Sequence, residues 1–112
     1  MSLRVDYAPW FEADLHLRIA WYTEQSGIEL GERFILAVDA TIRKLAENPH
    51  VGKRPYPKDP DVAELHAILL ERPFNKYILY YRVTTGRLLL ERLIHGARDL
   101  PRRLLEAPYE SS

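Results

Sequence analysis

Apolar residues recur with a period near four in the first half of this chain and with a period of two in the second. At the start, Leu3, Val5 and Tyr7 alternate with polar neighbours, which predicts a short strand. Pro9 then suits the first turn of a helix, where its missing N–H would have no partner anyway. From Pro9 to about Glu24, Phe11, Leu15, Ile19 and Tyr22 recur at spacings of four, four and three, one stripe of an amphipathic helix. Ser26-Gly27 interrupts it. Leu30, Phe34, Val38, Ile42 and Leu45 then step by four, four, four and three, with Glu29, Glu32, Arg33, Asp39, Arg43 and Lys44 mostly opposite. Pro49 disfavours helical backbone at Asn48, so this second helix should stop there. The short break predicts an antiparallel helical hairpin whose two stripes both need cover.

The stretch NPHVGKRPYPKDPDVAE carries four prolines and a glycine, which exclude a long helix or a central strand. A connection this long in a small domain is often functional or mobile. Beyond it the period is two: ELHAILLER, NKYILYYRVT and RLLLERLIH read as strands, the last two joined by a tight Thr-Gly turn. Tyr77, Leu79, Tyr81 and Val83 should face the helices together with Leu88, Leu90 and Ile94. Lys76, Ile78, Tyr80, Arg82, Leu89, Glu91, Leu93 and His95 are left for the other face, half apolar and half charged. Such a face is unusual in water, and a covering partner would account for it. The predicted class is α+β, in the order β-α-α-β-β-β, an antiparallel sheet with an N-terminal helical hairpin packed on one face.

Composition narrows the options. At 112 residues, the chain makes a single domain over 1–112 that can bury a core without disulfides or a metal. It has no cysteine, so neither a disulfide framework nor a thiolate zinc site is available. The start, MSLRVDYAPW, lacks a charged-then-apolar leader, and no apolar run approaches the ~18 residues of a membrane span. The expectation is a soluble, cytoplasmic protein. The 16 basic and 16 acidic side chains cancel, but unevenly. Arg72 to Arg103 holds eight Lys/Arg against Glu91 and Asp99, which allows a local positive face. Alternating charges solvated along the strands account for the same count.

In the order of these elements and in three segments, the chain resembles the RelE/ParE superfamily, the toxins of bacterial type II toxin–antitoxin (plasmid stabilisation) systems. LAENPHVGKR ends the helical hairpin, RPFNKYILYYRV makes the middle strand, and LLLERLIHGARDL closes the sheet. The likeness runs from about Val5 to Arg103 and leans towards the ParE type. It implies a growth-inhibiting toxin silenced by a cognate antitoxin, whose extended segment wraps the toxin and whose own domain binds operator DNA. ParE-type toxins poison DNA gyrase by binding it. RelE-type toxins cut mRNA in the ribosome.

Cutting RNA without a metal requires a base for the 2′-OH, cations for the phosphorane and a proton donor for the leaving oxygen. By the resemblance, Arg98 falls where the family carries one arginine, but a third-strand arginine position falls on Ile78 and a C-terminal tyrosine position on Leu104. A nuclease would therefore draw on His95 as base with Arg98, Lys53, Arg54 and Lys76 as cations. Lone histidines at strand ends also serve as structural hydrogen bonders. His16, His50, His66 and His95 lack metal-ligand spacing, so no metal or cofactor is expected. No serine sits in a nucleophile elbow and no glycine-rich loop opens a helix. Binding is the main reading, and the alternatives are a ribosome-dependent mRNA endonuclease with a degenerate site or an inactive toxin that serves as the antitoxin's co-repressor. Tyr80, Arg82, His95, Arg98, Asp99, Arg102 and Arg103 are candidates for a target-gripping edge, arginine being suited to bidentate bonds with carboxylate or phosphate. An Arg98–Asp99 ion pair that merely tidies the chain end is the structural alternative. Trp10, Leu17, Trp21, Ile78, Leu89 and Leu93 are candidates for the antitoxin, although Trp10 and Trp21 suit the core equally well.

Overall fold

The computed structural model describes residues 3–96 and 100–108. Its elements are β1 (Arg4–Tyr7), α1 (Pro9–Ser26), α2 (Ile28–Glu47), β2 (His66–Leu69), β3 (Tyr77–Thr84), β4 (Arg87–His95) and the short α3 (Leu100–Arg103). Gly27 joins the two long helices at φ +88°, a backbone that only glycine adopts without strain, so they turn back on each other in one residue. Gly31 lets them approach closely, since a Cβ there would lie 2.7 Å from the Thr23 hydroxyl.

The sheet runs β1-β4-β3-β2. It is antiparallel except at β1, which lies parallel to β4, a pairing that the long excursion between the two strands permits. Asp6 bridges Arg4 on its own strand and Arg87 on β4, and these guanidiniums lower its pKa. Both predicted helical stripes face the sheet. Phe11 and Phe34 are fully buried with Leu79, Tyr81, Leu88 and Leu90, and Leu15, Ile19 and Tyr22 pack at the margin.

One irregularity changes which residues share a face. Between Tyr80 and Tyr81 the register shifts: Tyr80 pairs with Arg92, whereas Tyr81 pairs with Leu90, so Glu91 is the extra residue of a bulge. A one-residue slip exchanges the faces of everything beyond it. Leu93 and His95, expected on the outer face, are opposite Leu79 and Tyr77 on the helix side. Ile94, expected under the helices, lies on the outer face in a second cluster with Tyr80.

The cover for the outer face comes from the chain itself. Val62 and Leu65 from the proline-rich connection and Leu104 from beyond α3 bury Tyr80 to 1% exposure. That connection is ordered against the sheet. Lys53 exchanges backbone hydrogen bonds with Ala67 on the free edge of β2, and Gly52 donates its N–H to the Tyr81 hydroxyl, which in turn donates to the Pro49 carbonyl. A side chain at Gly52 would collide with that hydroxyl.

Candidate functional site

Trp10, Asp14, Leu17, Arg18 and Trp21 follow helical spacing on one flank of α1, about a quarter turn from the stripe that enters the core. Trp10, Leu17 and Trp21 are 40%, 50% and 47% exposed. The core role that also suited the two indoles is thus filled by Phe11 and Tyr22 instead.

Facing this helix is the segment from α3 to Pro108, and Arg92 joins the two. Its Nε and Nη2 donate to the carboxylate of Asp14 at 2.8 and 3.1 Å. Its Nη1 donates to the carbonyls of Arg103, Leu104 and Glu106 at 3.1, 3.0 and 2.8 Å. The Asp14 carboxylate also accepts the N–H of Leu93. Arg92 is 3% exposed, and the Trp10 ring stacks over its guanidinium at 5.1 Å. A buried charge is tolerated only when paired and hydrogen-bonded, as it is here.

Two hollows flank this junction. One, about 380 Å³, lies between Trp10, Leu65, Arg82, Leu104 and Leu105, with Arg82 paired to Glu91 at 3.3 Å. The other, about 350 Å³, lies between Leu17, Arg18, Trp21, His95, Arg103 and Pro108. Its mouth is cationic. Arg18 lies 5.5 Å from the rings of both Trp21 and Tyr77, and Arg103 donates to the His95 carbonyl at 3.3 Å. The His95 ring meets Tyr77 edge-on at 5.1 Å. Although the residue is largely accessible, loss of water on that side lowers its pKa, and the charges of Arg18, Lys76 and Arg103 lower it further. Among the described residues, Arg18, Lys76 and Arg103 have no carboxylate ion-pair partner. Positive groups held together without a counter-charge can accept an anionic one.

The remaining candidates are dispersed. Lys53 pairs at the far side of β2 and Arg54 is tied to Ala63 and Glu64, so three strand spacings, about 14 Å of backbone, separate them from His95. Tyr80 and Leu93 are buried within the chain and reach only the floors of hollows. Burial also raises the pKa of Tyr77, Tyr80 and Tyr81, which keeps these phenols protonated. Ile78 lines an apolar hollow of about 400 Å³ beside Val51 and Leu69. Leu89 is half-buried opposite Arg82, and Arg102 is exposed near Glu106. Arg98 and Asp99 lie outside the described residues.

Asp14, Arg18 and Arg92 were missed from sequence. The first two were recoverable, since they share the helical face of Trp10, Leu17 and Trp21. Arg92 was not, because Leu88-Leu89-Leu90 is apolar on both faces and conceals the change of phase that turns the next arginine to the outer face, opposite Tyr80 and under the C-terminal segment.

Three comparisons bear on this arrangement. Residues 5–100 match the family model for the ParE toxin of the type II toxin–antitoxin system parDE. A solved structure titled "Chromosomal ParDE TA system from P. aeruginosa" superposes with a TM-score of 0.69 at 16% identity, covering 86% of this chain and 98% of that one. No curated protein gives a significant match.

Proposed function

Because this chain belongs to the ParE toxin family of type II toxin–antitoxin systems, we propose that a cognate antitoxin silences it along the exposed Trp10–Leu17–Trp21 flank of α1 and that the free toxin poisons DNA gyrase by binding it. The observation that carries the first half is the exposed Trp10–Leu17–Trp21 stripe beside a cationic mouth. An amphipathic acidic segment fits it, with apolar anchors on Leu17 and Trp21 and carboxylates on Arg18, Lys76 and Arg103. Operator DNA is then reached only through the antitoxin. Both partners place the toxin in the cytoplasm.

Binding rather than cleavage is favoured by what occupies the catalytic positions. Ile78 brings no cation, Leu104 is a buried plug, and Lys53 and Arg54 are remote from His95. The gripping groups on this reading are Arg82, His95, Arg102 and Arg103, together with Arg98 and Asp99, which lie outside the described residues.

The test is induction of the chain in bacteria with gyrase activity read as supercoiling and as trapped cleavage complexes. Inhibited supercoiling with accumulated cleavage complexes is expected. Growth arrest with gyrase unaffected would sink the gyrase reading. Codon-phased mRNA cuts that disappear in His95→Ala would replace it with ribosome-dependent cleavage. For the antitoxin, Leu17→Ser with Trp21→Ala should weaken binding at least tenfold, by removal of two apolar anchors.

A further inference from the structure

Among the described residues, the ion pair on the outward face of α2 is internal to the helix, an exposed contact of Arg43 with Asp39 at 2.6 Å that leaves the guanidinium 79% accessible. Leu36 is 66% exposed at the centre of that face, and Ile35 and Ile28, about a quarter turn round the helix, are 41% and 67% exposed. Glu29, Leu36 and Arg43 are seven residues apart, two helical turns each, so they fall on one line. Glu32 flanks the acidic end of that line. The far side of the helix, with Phe34, Val38, Thr41 and Leu45, is buried.

We propose that this line pairs with the same line on a second copy of the chain, antiparallel, about a two-fold axis at Leu36. In that arrangement Leu36 meets Leu36 of the second copy, and Glu29 and Glu32 meet its Arg43 at both ends of the contact. A parallel pairing would set Glu29 on Glu29 and Arg43 on Arg43, which is repulsive. The helix dipole also favours acid first and base last, but it does not require both to share a line with an exposed leucine. Beside that leucine, a hollow of about 230 Å³ between Leu36, Ala37, Arg72, Pro73 and Phe74 offers a recess for the incoming side chain. Two-fold homodimers are the commonest oligomers, and they place each residue opposite a self-complementary one. One helix pair falls short of the ~1,200 Å² of standard stable interfaces, so the exchange should be reversible and concentration-dependent. None of the residues proposed to bind antitoxin or gyrase is involved, so this inference stands or falls separately from that function.

Sedimentation velocity over a concentration series tests it on the full chain. The wild type should pass reversibly from monomer to dimer. Glu29→Arg with Glu32→Arg should be monomeric, because arginines then face Arg43. Arg43→Glu should be monomeric for the opposite reason. Mixed one to one, these two variants should restore the dimer, since every facing pair is again opposite in charge. All three positions are exposed, and a variant that failed to fold could not be rescued by mixing. A wild type that stays monomeric, variants that still dimerise, or a mixture that stays monomeric would each overturn the proposal.

Discussion

A guanidinium at 3% exposure has given up its water, and at Arg92 five hydrogen bonds replace it, two to a carboxylate and three to carbonyls of the C-terminal segment. Arg92→Met should therefore cost about 3–5 kcal/mol, most of it from leaving the Asp14 carboxylate buried without its partner. Arg92→Lys should recover little, since an ammonium lacks the planar fork that reaches both sets of acceptors. Removing the charge at both positions, Arg92→Met with Asp14→Leu, should regain much of the loss. Urea unfolding reads all three, and a single variant as stable as wild type would refute the account. Leu104, held in place by the same arginine, fills the outer cluster at 4% exposure. Leu104→Ala should cost about 2–5 kcal/mol in the same assay.

At the scale of elements, the proline-rich connection behaves as a covering layer rather than a free loop, and its closest approach is at Gly52. Gly52→Ala sets a methyl against the Tyr81 hydroxyl and the Ala67 carbonyl and should destabilise by about 1–3 kcal/mol. Faster amide exchange at Lys53 and Ala67 would identify the displaced layer. The helical hairpin and the strand order along the chain were legible because their signals are local: spacing, Gly27, Pro49 and the Thr-Gly turn. Two features were not. The single extra residue at Glu91 exchanged Leu93, Ile94 and His95 between faces, and alternation cannot fix a phase through three consecutive leucines. The parallel pairing of β1 with β4 joins segments at opposite ends of the chain, and no local pattern encodes it. The candidate site suffered from the same phase error, since the cationic mouth forms only once His95 turns towards α1.

Over the whole molecule the charges cancel, yet their placement gives it a preferred pH range. His66 and His95 both have lowered pKa values, and burial is the first cause in each. At His66 the charges of His50 and Arg54 add to it and the Glu64 backbone partly opposes it; the ring stacks on Tyr81, and its buried Nδ1 meets no well-aligned hydrogen-bond partner among the described residues. The unfolded chain thus binds these protons first, so stability is full above the ordinary histidine value of ~6.5 and declines as pH falls through it towards the folded values. Urea midpoints should drop between pH 7.5 and 5, and His66→Phe should flatten the dependence. An acidic segment lying on Arg18, Lys76 and Arg103 would act in the other direction and favour protonated His95. Antitoxin affinity should then rise on acidification and fall with added salt. A salt-independent affinity would contradict the cationic mouth as its docking point.

The strand order also has a consequence for synthesis. β1 is made first and pairs with β4, and Asp14 on the first helix waits for Arg92 and the carbonyls beyond it. A chain interrupted before Arg87 can close neither the sheet nor the α1 junction. Abandoned translation products that stop before β4 would therefore lack both the closed sheet and the α1 junction, and would be inert.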